Sequence, residues 1–193
     1  MKLLWTGSDV LFATRIIVGR KFPTKPIKYI YFLGCTIFAK IADKFVDEHV
    51  VVSYHLIKEL GPLKLKKKNE VRENPVNYEK MDKLPHKGFN LLYYRGIGKN
   101  QIFFDWVYGY DIFLQIKQYF GTGINFIEVN GDQNMAEVYP LIDFYLRPNR
   151  HDGNPRMVRE CEINNIPYYH SYENPNFIKI VNEIKKQIQS KSI

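Results

Sequence analysis

Two carboxylates bracket what reads as a helix start: Asp152 and Glu160, with Gly153, Asn154 and Pro155 between them and Met157 and Val158 just after. Asn154 suits an N-cap and Pro155 suits the first helical position. The amides of Met157 and Val158 would then lack intrahelical acceptors and lie at the positive end of the helix dipole. Such a place takes an anion, most naturally phosphate. Glu160, further along the helix, can accept hydrogen bonds from sugar hydroxyls. Phosphate donors beside a hydroxyl acceptor suggest a ribose-diphosphate ligand. The same nine residues also make a capped surface helix with an exposed glutamate, and by themselves they do not separate the two.

The flanking elements bear on that choice. Ile142-Asp143-Phe144-Tyr145-Leu146-Arg147-Pro148 is a short apolar strand that runs into the loop, and Ile166-Pro167-Tyr168-Tyr169-His170-Ser171 reads as another strand after the helix. Strand, loop, helix and strand form one βαβ unit. In open parallel sheets ligands bind outside the carboxyl ends of the strands, where this loop lies.

The run from Leu146 to Ser171 resembles the donor-binding region of GT-B glycosyltransferases, above all the large retaining family 4 group. The family pattern is a strand, a proline-containing loop, Glu-Gly-x-Pro, four residues and a second Glu, then a helix and Gly-x-Pro. Here Asp152 stands for the first Glu, Gly153 and Pro155 are in place, Glu160 is in register, and Asn165-Ile166-Pro167 replaces Gly-x-Pro. Upstream, the run Gly88 to Asn100 is similar to the family's first donor-domain strand, which ends in Gly-Arg with a lysine a few residues later. This chain has Arg95 and Lys99, with the order Arg95-Gly96. Fixed cations there stabilise the charge gained by a departing nucleoside diphosphate. Taken singly, Arg95 and Lys99 read as ordinary loop cations. Near the N-terminus, Leu3 to Trp5 followed by Thr6-Gly7-Ser8-Asp9 resembles the family's acceptor-side strand and turn, and Ala42 to Leu60 resembles the stretch that closes the acceptor domain.

The resemblance implies a retaining glycosyltransferase that uses a UDP- or GDP-sugar as substrate and no cofactor or metal for the diphosphate. Arg95 and Lys99 would offset the diphosphate, Met157 and Val158 would give amides to it, Glu160 would hold the ribose, and Asp152 would hold the transferred sugar. The acceptor is unknown; lipid-linked acceptors are common in the family. The front half of the family's N-terminal domain, with its Gly-rich acceptor loop, has no counterpart here. That leaves two alternatives: a non-catalytic nucleotide-sugar-binding or interaction protein on a degraded scaffold, or one subunit of a split enzyme. A homo-oligomer or a partner subunit fits either.

The 193 residues include 28 Lys and Arg against 20 Asp and Glu, a net charge of +8, which implies an anionic partner. The run Lys64-Leu65-Lys66-Lys67-Lys68 reads as a solvated linker or as a contact to an anionic membrane surface. No nucleic-acid motif accompanies it. Cys35 and Cys161 are far apart in apolar contexts and read as unpaired, and the five histidines show no zinc-type spacing. No signal peptide or spanning segment is evident, so the expected location is the cytoplasm, with a peripheral membrane contact as the variant.

The expected organisation is α/β throughout: a shortened acceptor-side α/β domain over residues 1–70, a basic and polar linker over 71–84, and a Rossmann-like, doubly wound parallel-sheet domain over 85–193 of GT-B type. In the first domain, strands are expected over Lys2 to Trp5, Ile27 to Leu33 and His49 to Ser53, with helices over Thr36 to Phe45 and His55 to Leu60. In the second, strands are expected at Asn90 to Tyr94, Asn125 to Val129, near Phe144 and after Ile166. Helices are expected over Ile102 to Phe120, Met135 to Leu141 and Asn174 to Gln189.

Overall fold

The computed structural model describes residues 1–6, 8–18, 28–72, 79–153 and 155–191. The chain divides into two units, Met1–Pro75 with Asp152–Asn154, and Val76–His151 with Pro155–Ile193. Both are α/β units built on parallel sheets. Among the described residues no helix is long and apolar enough to cross a membrane.

The first unit carries β1 (Lys2–Trp5), α1 (Ser8–Val18), α2 (Lys28–Ala42), β2 (Glu48–Val51), α3 (Tyr54–Leu60) and β3 (Lys68–Val71). The three strands are parallel in the order β1-β2-β3, with Leu3 opposite His49 and Trp5 opposite Val51. Strand order follows chain order, so right-handed crossovers place the connecting helices on one face. The core agrees: Trp5 and Val51 of the sheet pack with Val10 and Ala13 of α1, Ala39 of α2 and Leu56 and Leu60 of α3.

A buried network fastens the start of β2. The indole Nε1–H of Trp5 donates to His49 Nδ1 at 3.1 Å. An indole nitrogen can only donate, so Nδ1 accepts and the proton sits on Nε2. Nε2 in turn donates to Asp43 at 2.9 Å. Asp43 also accepts the amides of Lys66 and Lys67, at 2.8 and 3.1 Å.

The expected strand over Ile27 to Leu33 is instead the first half of α2; Ile27 itself lies outside the described residues. Isoleucine and tyrosine favour strands, but packing overrides propensity. Phe32, Thr36 and Ala39 fall on one helical stripe and are buried, and the Thr36 hydroxyl donates to the Ala13 carbonyl at 2.6 Å. Helix α1 also occupies residues read only as a strand-ending turn. Asp9 there accepts the Thr6 amide at 3.0 Å, which ties the end of β1 to the helix start.

The second unit carries β4 (Asn90–Tyr94), α4 (Gln101–Val107), α5 (Tyr110–Phe120), β5 (Asn125–Val129), α6 (Met135–Val138), β6 (Phe144–Arg147), α7 (Arg156–Ile163), β7 (Tyr168–His170) and α8 (Phe177–Lys191). Its four parallel strands run in the order β5-β4-β6-β7. The first crossover moves outward from β4 and the next returns past it, so right-handed connections put helices on both faces. On one face Leu91, Tyr93, Phe144 and Leu146 pack against Phe113 and Ile116 of α5 and Ile180 and Ile184 of α8. On the other, Leu92, Val129 and Tyr145 pack against Tyr139 and against Val158 and Cys161 of α7. The unit is therefore Rossmann-like and doubly wound, as the alternation of strands and helices predicted.

The single helix expected over Ile102 to Phe120 is two helices. Tyr108 and Gly109 break it, and Gly109 has φ +66°, a conformation that favours glycine. A Cβ at Gly109 would lie 2.1 Å from the Pro148 carbonyl oxygen, so the break is set by close approach to the loop after β6. At the opposite, amino-terminal end of the strands, Asp143 is buried. It accepts the Asn90 amide at 2.9 Å and holds Lys83 at 2.6 Å and Lys191 at 2.8 Å.

Candidate functional site

The strand order reverses beside β4. The loops after β4 and β6 leave adjacent strands at their carboxyl ends and diverge toward opposite faces, which is the topological switch point of the second unit. Crevices at such points bind ligands in open α/β sheets. Arg95 and Lys99 lie in the loop after β4. Met157, Val158 and Glu160 lie on α7, which follows the loop after β6.

Arg95 is the first residue past β4, and its amide bonds the Val129 carbonyl at 2.8 Å. Its guanidinium makes a two-pronged bond to Asp105 at 2.9 and 3.1 Å, lies 3.7 Å from Glu128, and covers the Tyr110 ring at 3.9 Å. Burial pushes the Asp105 carboxyl up, but Arg95 and Gln101 more than offset this and hold it below the usual carboxylate range. Arg95 thus offers a fixed cation that is already held by an acid. A cleft of about 430 Å³ opens beside it, lined by Arg95, Ile97, Gln101, Glu128, Val129 and Asn130. Lys99 is exposed and makes no ion pair among the described residues.

Two glycines in this loop have a packing reason. A Cβ at Gly96 would lie 2.1 Å from the Tyr108 ring, and one at Gly98 would lie 2.1 Å from the Phe104 ring. The loop lies flat on aromatic side chains of the α4 region, which fixes where Arg95 leaves the sheet.

The start of α7, the helix after β6, differs from expectation. The Val158 amide bonds the Pro155 carbonyl at 3.1 Å, so it is not available to an anion. The amides that precede it, of Arg156 and Met157, are the ones that helix geometry leaves without intrahelical acceptors. Pro155, with φ −73° and ψ 97°, takes the capping position, one residue later than expected, and Asn154 lies outside the described residues. Glu160 is buried. Its Oε2 accepts the Tyr139 hydroxyl at 2.6 Å and its Oε1 accepts Arg156 Nε at 2.6 Å. Burial, then the bond to Glu160, push the Tyr139 hydroxyl well above its ordinary value, so it remains a donor. Each carboxylate oxygen keeps a further acceptor direction. The exposed Arg156 is the partner a sugar hydroxyl could displace.

Asp152 and Gly153 group with the first unit. Both are buried, and Asp152 accepts the Gly153 amide at 2.9 Å. Also in the first unit, His55 and Glu59 stand one turn apart on α3, 3.4 Å from each other, and can present two ligand atoms to one ion. Cys35 and Cys161 are both free thiols, and burial pushes the Cys161 thiol well up.

Arg147 was not singled out by the sequence reading. It is buried at the carboxyl end of β6. Its Nη1 donates to the Tyr145 hydroxyl at 3.0 Å, its guanidinium faces the Tyr108 ring at 5.4 Å, and Tyr145 reaches Met157 Sδ at 3.6 Å. One buried cation therefore links the aromatic floor under the β4 loop to the start of α7. The signal in the sequence was a charge at the end of an otherwise apolar strand, directly before Pro148.

No protein-family model matches the chain, and no curated protein matches it either.

Proposed function

We propose that the second unit binds a nucleoside-diphosphate sugar at its switch point and that the protein is a retaining glycosyltransferase. The observation that supports the reading is topological: Arg95 and Lys99 follow β4, and Glu160 lies on the helix that follows β6, so they stand beyond the carboxyl ends of neighbouring strands on either side of the switch point. The resemblance to GT-B enzymes assigns those same positions to the diphosphate and the ribose. The 430 Å³ cleft beside Arg95, which lies between the ends of β4 and β5, is of ligand-pocket size and could take the part of the donor bound by Arg95. On this reading the donor diphosphate displaces Asp105 from Arg95, and the ribose displaces Arg156 from Glu160. The bond from the sugar to the diphosphate then breaks with its electron pair on the phosphate oxygen. The acceptor oxygen bonds to the anomeric carbon from the same face, and its proton passes to the departing phosphate oxygen. The acceptor is unassigned.

Titration calorimetry with UDP, GDP and ADP tests the reading. One of the three should bind, and Glu160→Gln should weaken it about tenfold or more, the cost of a charge-assisted hydrogen bond of roughly 1.5–3 kcal/mol. Arg95→Ala should weaken the diphosphate more than the bare nucleoside. Failure of all three nucleotides to bind the unaltered protein overturns the reading.

A second reading, a nucleotide-sugar-binding protein without catalysis, is favoured by one observation: Arg95 and Glu160 are each already engaged, by Asp105 and by Arg156 with Tyr139. Binding of a nucleotide sugar that is neither transferred nor hydrolysed on long incubation selects it.

A further inference from the structure

Helix α2 is apolar on two sides, and only one of them is covered. Phe32, Thr36 and Ala39 form the buried stripe. On the far side Ile30, Phe38 and Phe45, the last just beyond the helix, stand 69, 64 and 69% exposed, with Leu33, Ile37 and Ile41 about half exposed between them. At 3.6 residues per turn, Ile30, Ile37, Ile41 and Phe45 share one face. Contiguous exposed apolar surface of this extent marks an interaction site rather than ordinary solvent exposure.

The exposed charges of α2 itself are basic, and the acid beside the face, Asp9, which lines a hollow with Tyr31 and Phe38, accepts the Thr6 amide at 3.0 Å. Helix α2 contains no acid, and its cations Lys28 and Lys40 are exposed, as is Lys44 just after it. The acid nearest the end of the helix, Asp43, is buried and bonded to His49 and to two amides. The Lys66 amide that bonds Asp43 brings the basic run Lys64 to Lys68 to the end of α2, with Lys64, Lys66 and Lys68 exposed. The nearest following acids are already paired, Asp47 with the N-terminal amine and Glu48 with Lys2. Aliphatic and aromatic side chains on one face, bordered by lysines, suit the boundary between headgroups and acyl chains of an anionic bilayer. A second copy of this chain would bring lysines against lysines.

We propose that the exposed face of α2, with the lysines at its carboxyl-terminal end, docks the first unit on an anionic lipid surface. The apolar residues enter the headgroup boundary. Lys40, Lys44 and the Lys64 to Lys68 run lie against lipid phosphates. This does not depend on the donor-site reading of the second unit.

The test is flotation of the full chain with vesicles of phosphatidylcholine alone and of phosphatidylcholine and phosphatidylglycerol in equal parts. The protein should float with the anionic vesicles, weakly or not at all with the neutral ones, and less as salt is raised. The double variant Ile37→Glu with Ile41→Glu should abolish flotation while far-ultraviolet circular dichroism stays unchanged, because both positions face solvent. Lys40→Ala with Lys44→Ala, which cannot disturb the core, should lower the partition coefficient roughly tenfold or more. The proposal fails if the unaltered protein floats with neither vesicle, or if the isoleucine variant floats as well as it does. It fails equally if light scattering shows a dimer that the isoleucine variant dissociates, since the face is then a contact between copies.

Discussion

Both units anchor the start of a strand with one buried aspartate, and they do it with different partners. In the first, Asp43 is surrounded by fixed groups: the amides of Lys66 and Lys67 and the His49 imidazole, itself held by Trp5. In the second, Asp143 takes one amide, from Asn90, and otherwise relies on the ammonium groups of Lys83 and Lys191, with His86 3.4 Å away. Those lysines are themselves largely or partly exposed. The first arrangement is dipolar and rigid; the second is ionic and half in solvent. The same contrast extends to the surfaces. The second unit covers both faces of its sheet with its own helices, whereas the first leaves a whole side of α2 apolar and uncovered.

The comparison breaks first by deletion. Asp43→Ala should destabilise the first unit by about 3–5 kcal/mol, because two amides and a buried imidazole lose their acceptor together. Asp143→Ala should cost the second unit less, about 2 kcal/mol, since its lysines return to water when freed. The two tryptophans allow each unit to be followed alone. In a Trp106→Phe background Trp5 reports the first unit, and in a Trp5→Phe background Trp106 reports the second. Chemical denaturation read this way should show each loss in its own unit. Equal losses for the two aspartates would remove the distinction between dipolar and ionic anchoring.

Acid sharpens it. At both sites burial pushes the carboxyl up and the partners more than offset it, so each ends below its ordinary value. The Lys66 amide, His49 and the Lys67 amide do this for Asp43; Lys191, Lys83 and the Asn90 amide do it for Asp143. A carboxyl depressed in the folded state contributes stability that is complete above its unfolded pKa, near 4, and is lost as pH falls through the folded value. Each unit should therefore weaken below about pH 4, and Asp43→Asn and Asp143→Asn should each flatten that dependence in the unit that carries them. Denaturation curves from neutral pH down to pH 3 check it; an unchanged slope in either variant removes that aspartate from the account.

The second unit was far more legible in the sequence than the first. Its strands Asn90–Tyr94 and Asn125–Val129 fall where the apolar runs and turn residues placed them, because each is bounded by residues that cannot continue it. The Gly109 break was missed because the apolar period runs through it, and the reason for the break, the Pro148 carbonyl, is remote in sequence. In the first unit, Ile27 to Leu33 carries strand-type residues, and what makes it helical is Ala13 and the core around Ala39, which no local window contains. For the candidate site, which strands Arg95 and Glu160 follow was readable, and what engages them was not. The spacing of Arg95 and Glu160 could be read, but not that Asp105 and Tyr139 already hold them.

Salt gives the smallest and most discriminating effect. The Debye length falls from about 10 Å at 0.1 M to 3 Å at 1 M, and screening acts on exposed charges more than on buried dipoles. Lys83 and Lys191 reach Asp143 from the solvent side, so their attraction should weaken across that range by a few tenths of a kcal/mol, the scale of exposed ion pairs. The two amides at Asp43 carry no net charge to screen, and His49 is fully buried, away from salt. The stability difference between the unaltered protein and Asp143→Ala should therefore narrow as sodium chloride is raised, while the difference for Asp43→Ala should not move. Comparing variants cancels the general effect of salt on apolar burial, which shifts every member of the set alike. If both differences narrow together, Asp43 is held by charge as much as Asp143 is, and the contrast between the two anchors lies only in their depth.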